Sequence, residues 1–291
     1  MKNTIRHTVC PIIAAIIWGT AFSAQNIASA YLQPFSINAF RGVLAALILG
    51  GFCLLGGRKI ESWPKLLKGG VICGLFLFLA SNAQQLGISD TSAGKSGFIT
   101  ALYIVLVPLF GLFLKQRPGK RIWLSVVIAV AGLYFLCVSG EFTIGLGDLS
   151  LLACAAFFAW QILFIDRFGG DLDELAFTAV EFAVTGLLSL ICALLFEPQS
   201  LENYTACMGS LLYVTVFSSC IGYTLQVVSQ KGGNPAIISL LMSLESVFAV
   251  IGGAVILHEK LSGREYLGCA LMAAAVVLAQ LPEKQSTTAP G

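Results

Sequence analysis

Charge is scarce in this chain of 291 residues: Asp, Glu, Lys and Arg make up only 11% of it, against about 25% in an ordinary soluble domain. Apolar residues make up 57%, more than a water-soluble core of this length can hide, so hydrocarbon is the solvent for most of the chain. Histidine is almost missing, with His7 and His258 alone. No CxxC pair, HExxH run or paired metal carboxylates occur, which excludes the common metal and disulfide frameworks. The nine cysteines change nothing, since Cys53, Cys73, Cys137, Cys154, Cys192, Cys220 and Cys269 lie inside apolar runs, where thiols act as small polarizable hydrophobes. No cofactor is implied. Basic residues occur in short clusters between apolar runs and form no continuous face, so nucleic acid is not an expected partner.

What the chain has instead is apolar length. Segments of about 18 to 25 residues, enough to span a bilayer, recur near 8–29, 34–55, 66–88, 92–114, 121–139, 148–167, 174–196, 206–230, 234–257 and 264–281. The expectation is an all-α integral membrane protein of ten transmembrane helices, with a disordered tail at 283–291. Lys2, Arg6 and Ala28-Ser29-Ala30 imitate a signal peptide. The run from Thr8 to Ala30 is long for that and contains Trp18, Gln25 and Asn26, so it is read as a retained helix. Orientation follows from Lys and Arg. Thirteen fall on the side of the N-terminus, against Lys260 and Arg264 on the other, with Arg41 and Lys95 inside spans. Both termini are expected in the cytoplasm, in a multi-pass protein of the plasma (inner) membrane.

The two halves repeat. At an offset of 140, Trp18-Gly19 falls on Phe158-Ala159 and Arg41 on Glu181; at 142, Gln84 falls on Gln226; at 143, Arg121-Ile122-Trp123-Leu124 falls on Arg264-Glu265-Tyr266-Leu267. Units at 1–139 and 140–282 would each hold five spans. Five is odd, so the second unit enters the membrane from the opposite side. Inverted repeats of this kind belong to alternating-access transporters with a site near the midplane.

Particular motifs sharpen this reading: Ala14-Ala15-Ile16-Ile17-Trp18-Gly19 in the first helix, Asn38-Ala39-Phe40-Arg41 in the second, Phe98-Ile99-Thr100-Ala101-Leu102-Tyr103 with Pro108 in the fourth, and Ser243-Leu244-Glu245-Ser246-Val247-Phe248-Ala249 followed by His258-Glu259-Lys260-Leu261 around the ninth. In these the chain resembles the drug/metabolite transporter superfamily, and within it the EamA-type ten-helix exporters. The resemblance covers nearly the whole chain and implies export of a small metabolite. It departs at Ser246, where that family usually has proline and a kink.

Charges at membrane depth are the first candidates for a site, because a structural charge there is expensive. Arg41 lies about seven residues from the outer end of the second span, and Glu181 about seven from the inner end of the seventh. A salt bridge between them is the competing structural reading, but at 1.5 Å per residue each is about 10 Å deep, from opposite faces, so they need not meet. Glu245 sits near mid-depth. An unpaired carboxylate there is costly to keep ionised, which suits a substrate ammonium or a proton-coupled step. Candidate substrate-binding residues are Arg41, Glu245, Asn38, Gln84, Gln85, Tyr103, Trp160, Gln161, Tyr223 and Gln226. Glu181 and Lys95 are candidates for gating or proton coupling. Trp18, Phe22, Phe157, Trp160 and Tyr223 offer aromatic walls. Thr178, Thr185 and Ser189 share a stripe with Glu181, better suited to helix packing.

Two enzyme motifs fail. Gly94-Lys95-Ser96 lacks the first glycine and the strand of a Walker A loop. As an intramembrane serine hydrolase, the remote alternative, Ser96 needs a histidine at depth, and neither histidine is there. The expected function is secondary-active export of an amino acid or related zwitterion. Export of organic cations or drugs is the alternative. The expected partners are a small-molecule substrate and the bilayer, with the protein a monomer or homodimer.

Overall fold

The computed structural model describes residues 5–58, 60–90, 93–138, 145–256 and 262–281. The expected features at His258-Glu259-Lys260-Leu261 and in the tail lie outside them, as does the Lys95 side chain. Among the described residues there is helix and no strand. A π-helical turn, Ile5–Val9, leads into α1 (Cys10–Ser29). α2 (Pro34–Leu55) and α3 (Trp63–Asp90) follow. The fourth expected span is α4 (Ala93–Ala101), α5 (Tyr103–Gly111) and a 3-10 turn, Leu112–Leu114. Next come α6 (Lys120–Cys137), α7 (Leu146–Phe168) and α8 (Glu174–Phe196). After the short α9 (Leu201–Ala206), the eighth span is α10 (Met208–Tyr213), a π-helical stretch Val214–Gly222, and α11 (Tyr223–Gln230). α12 (Pro235–Met242), α13 (Glu245–Ile256) and α14 (Gly263–Gln280) complete the chain.

Eight of these stretches, among the described residues, are long and apolar enough to cross a membrane, and Pro235–Ile251 is a shorter apolar helix. The expected tenth segment is the helix α14, but its polar first turn, Arg264-Glu265-Tyr266, dilutes its apolar character. The polarity of the bundle is inverted relative to a soluble protein. Leu54, Leu55, Leu195 and Phe196 are exposed, while Asn38, Arg41, Gln85, Gln161, Thr178, Glu181 and Gln226 are buried. That arrangement is stable only with lipid outside.

Without a hydrophobic drive between helices in lipid, close contact depends on small residues. α2 and α8 cross where a Cβ on Gly42 would lie 2.6 Å from Gly186 Cα, and α6 and α14 cross where a Cβ on Gly268 would lie 2.8 Å from the Gly132 carbonyl oxygen. The polar stripe of α8 is used in this packing: Thr185 Oγ1 donates to the Gly74 carbonyl of α3 at 3.0 Å, and Asn82 Nδ2 donates to Ser189 Oγ at 3.1 Å. The α6/α14 pair is tied at both ends. Arg121 at the start of α6 donates to the Leu281 carbonyl, and Arg264 at the start of α14 donates to the Tyr134 carbonyl.

Helix starts are satisfied by carboxylates. Glu197, just past α8, accepts from the Phe35 and Ser36 backbone N–H groups at 2.8 and 2.7 Å and from Ser36 Oγ at 2.6 Å. It thus caps α2 from another helix, and is itself buried. Glu197→Ala leaves those donors unmatched, and is expected to cost about 2 kcal/mol, read as a lower thermal midpoint in detergent, with Glu197→Gln milder.

Asp173 caps α8 through the Ala176 N–H and binds Arg58 Nη1 at 2.7 Å. Burial by itself would raise the Asp173 carboxyl, but the Ala176 N–H and the Arg58 guanidinium outweigh it and hold the group below its ordinary value. A depressed carboxylate stabilises the fold above its unfolded pKa and loses that contribution as pH falls through the folded one. Arg58 is largely solvent-exposed, so Arg58→Ala is expected to cost no more than about 1 kcal/mol near neutral pH, with the difference from wild type vanishing in acid melts.

Candidate functional site

Besides the π-helical stretch of the eighth span, two spans are broken in mid-course, and residues beside both breaks line one cavity. At Leu102 the helix tightens: Leu102 N–H bonds the Ile99 carbonyl and Val105 N–H bonds Leu102. At Ser243-Leu244 it does so again, through Leu244 N–H to Leu241 and Ser246 N–H to Ser243. A mid-helix switch to i→i−3 bonding commonly marks a hinge. The break in the ninth span is present although Ser246 stands where the resembling family has proline. Two residues of tight turn replace the kink, and Glu245 becomes the first residue of α13, where the helix dipole favours a carboxylate. The two breaks are 142 residues apart.

Between them lies a narrow chamber. Its volume is about 50 Å³, room for a few waters by the measure of about 10–15 Å³ each. α1 contributes Trp18, Phe22 and Gln25, α2 Arg41, α3 Gln84, and the fourth span Thr100 and Tyr103. The second half contributes Phe158, Ile162, Ser218, Tyr223, Gln226, Met242 and Glu245. Ten of these fourteen fall into five pairs at the repeat offsets. Trp18 with Phe158 and Phe22 with Ile162 are 140 apart; Gln84 with Gln226, Thr100 with Met242 and Tyr103 with Glu245 are 142 apart.

The two charges in the wall are not neutralised by protein. Arg41 is 3% exposed. Its Nη1 reaches Gln25 Oε1 at 3.4 Å, its Nε has no partner, and the Tyr223 phenol adjoins it. Among the described residues neither Arg41 nor Glu245 has an ion-pair partner, and the structural bridge from Arg41 to Glu181 is not formed. Glu181 is held elsewhere. Gln161 Nε2 donates to Glu181 Oε1 at 2.7 Å, and Gln226 Nε2 donates to Gln161 Oε1 at 3.0 Å. Glu181 is therefore one relay away from the chamber, through Gln226 in its wall. Glu181 Oε2, Gln226 Oε1 and the Tyr103 hydroxyl are buried without protein partners. Buried polar atoms of this kind call for an explanation, and a polar ligand or water is the usual one.

Of the residues singled out from sequence, Arg41, Glu245, Gln84, Tyr103, Tyr223 and Gln226 line the chamber together with the aromatic Trp18 and Phe22, and Gln161 stands behind it. Asn38 donates to Asn82 Oδ1 in the seam between α2 and α3, and Gln85 donates to Ser29 Oγ. Trp160 stacks on Phe110 and Phe164, and Phe157 packs on Phe76, away from the lining. Thr100, Phe158, Ile162 and Met242 were not legible one at a time, yet each is the repeat partner of another wall residue. Ser218 has a local cause. The π-helical stretch leaves its carbonyl to Trp18 Nε1 at 3.4 Å, and Gly222 admits the indole, since a Cβ there would lie 2.6 Å from Nε1. π-bulges recur at functional sites. Ser96 is buried in α4, its Oγ unpartnered, while His7 Nδ1 is 2.8 Å from the Ser229 carbonyl oxygen.

The sequence profile of the EamA-like transporter family matches residues 8–138 and again 145–281. The chain belongs to the EamA-like transporter family. An uncharacterized transporter of Archaeoglobus fulgidus is 31% identical over 272 residues, 92% of this chain and 84% of that one. The uncharacterized inner membrane transporter YedA of Escherichia coli K12 is 26% identical, over 91% of this chain and 88% of its own. A protein crystal structure with 20% identity superposes at a TM-score of 0.77, over 94% of this chain and 96% of that one, a likeness of fold. This EamA-like chain is thus a multi-pass membrane transporter, within the drug/metabolite transporter superfamily expected from its motifs.

Proposed function

We propose that this transporter is secondary-active, built of two inverted five-helix units at 1–139 and 140–282, and that it exports a small zwitterion such as an amino acid. Both termini would lie in the cytoplasm. The observation that carries the cargo class is an unpaired guanidinium and an unpaired carboxylate in the wall of one chamber. Arg41 takes the ligand carboxylate in a bidentate fork, and Glu245 takes the ammonium. Gln84 and Gln226 supply amide hydrogen bonds, and the rings of Trp18, Phe22, Phe158 and Tyr223 enclose the ligand body.

The inverted architecture is supported by how the halves pair. α2 packs on α8, and α6 on α14, each crossing between equivalent helices through glycine on glycine. α1 packs on the eighth span as α7 packs on α3, and α1 on α13 as α7 on α4 and α5. Arg121 and Arg264 make matching end contacts. Such a fold can expose one site to either side by rocking its halves. At the end bearing Lys231, Lys231 Nζ binds Glu174 at 2.9 Å and the Leu172 carbonyl at 2.6 Å, with Arg6 Nη2 3.6 Å from Glu174. Opening to the cytoplasm would part these contacts. Glu181 senses occupancy through Gln161 and Gln226, and takes the gating or proton-coupling role.

The aromatic walls favour a second reading, in which organic cations sit on Glu245 among the rings and Arg41 is structural. Thermal melts of the purified protein against a panel of amino acids, their decarboxylated amines and lipophilic cations separate the two. Binding to the folded state raises the midpoint with occupancy. A shift by amino acids alone supports the first reading; a shift by lipophilic cations alone replaces it with the second.

A further inference from the structure

Away from the chamber, two adjoining hollows of about 440 and 430 Å³ run along the end of the bundle that bears Lys231, sharing Gln116 and Asp166. The first lies between the 3-10 turn after α5 and the end of α7, with Lys115 and Arg167 in its wall, and the second adds Arg117. Against these three cations stands one carboxylate, Asp166, whose Oδ2 accepts Gln116 Nε2 at 3.0 Å. Lys115 and Arg167 have no ion-pair partner among the described residues. The groove runs directly into lipid-facing surface, where Leu109, Leu112 and Phe113 are 42%, 48% and 75% exposed.

The backbone singles out Lys115. Gln116 N–H bonds the Gly111 carbonyl at 2.9 Å and Lys115 N–H bonds Leu112, a helix ending whose left-handed position is usually glycine. Here it is lysine at φ 62°, the one non-glycine residue with positive φ among those described. Glycine would hold this turn with less strain, and backbone strain of this kind clusters at ligand sites.

We propose that this groove binds an anionic phospholipid, its headgroup phosphate held by Lys115 and Arg167 and an acyl chain laid along Leu112 and Phe113. Basic pockets on the cytoplasmic side of a helix bundle suit such headgroups. The site is independent of the cargo assigned to the chamber.

The test is thermal unfolding of the full-length protein in neutral detergent, with added phosphatidylglycerol, phosphatidylcholine or glycerol phosphate. Phosphatidylglycerol is expected to raise the wild-type midpoint well above phosphatidylcholine, and glycerol phosphate to leave it unchanged. Lys115→Gly is expected to melt no lower than wild type in detergent alone, because glycine relaxes the turn, yet to lose most of the phosphatidylglycerol increment. Arg167→Gln should lose it too, and Lys65→Gln, in the first turn of α3 at the same end, should keep it. The proposal is overturned if Lys115→Gly and Arg167→Gln keep the full increment, if Lys65→Gln loses as much, or if glycerol phosphate reproduces it.

Discussion

Replacing Arg41 with alanine is expected to weaken binding of an amino-acid ligand by at least about 30-fold, since losing one partner of a buried charge pair costs about 2–5 kcal/mol. The corresponding amine, which has no carboxylate to lose, should bind the variant about as well as it binds wild type. Isothermal titration on the purified protein measures both. The fold should survive, because the guanidinium has no ion-pair partner among the described residues and its best hydrogen bond to Gln25 is 3.4 Å long. Removing a desolvated charge with so little compensation relieves a cost, so the ligand-free melting point should not fall. Arg41→Lys should recover only part of the affinity, since an ammonium cannot make the two parallel bonds of a guanidinium.

The second large effect is expected at the crossing beside Arg41, where Gly42 of α2 meets Gly186 of α8. A methyl group added at Gly186 would lie 2.4 Å from the Val43 backbone nitrogen and 2.6 Å from the Gly42 carbonyl carbon. Those are backbone atoms and cannot rotate away, so α2 and α8 must separate. α3 is bonded to both helices beside this crossing, through Asn38–Asn82–Ser189 and through Thr185 to Gly74, and separating α2 from α8 would strain that bridge. Overpacking against rigid neighbours costs about 1–3 kcal/mol and at times more, and Gly186→Ala is expected at the upper end. Gly51, also on α2, has open space where its Cβ would go. Gly51→Ala should be neutral or stabilising by up to about 1 kcal/mol. Thermal midpoints of the two variants in one detergent make the comparison, and equal midpoints would contradict a glycine-dependent crossing.

Much of this was visible in sequence because lipid imposes simple demands. Length and apolarity located the spans to within a few residues, α3 reaching from Trp63 to Asp90 where 66–88 was expected. The interruptions were harder. Nothing in Ser243-Leu244 breaks a helix by intrinsic preference, and the proline that would have announced a kink is replaced by Ser246; the tightening there depends on tertiary contact. Long polar side chains were also ambiguous. Gln84, Gln85, Gln161 and Gln226 look alike in sequence, but whether an amide faces the chamber, a relay or a seam depends on which neighbour takes its hydrogen bond. The pairing of Tyr103 with Glu245 and of Thr100 with Met242 was there to be found, at the same 142-residue offset as Gln84 with Gln226. It is invisible residue by residue because the paired side chains differ in chemistry. Under the proposed zwitterion cargo that difference has a functional sense: a symmetric chamber could not grip a ligand whose two ends carry opposite charge.

The most direct test of the chamber as cargo site is counterflow exchange of a labelled amino acid in proteoliposomes, with wild type, Arg41→Ala and Glu245→Gln side by side. Wild type is expected to exchange the label, and each variant to lose most of the exchange while remaining folded by its melting curve. Exchange by both variants at the wild-type rate would contradict the assignment.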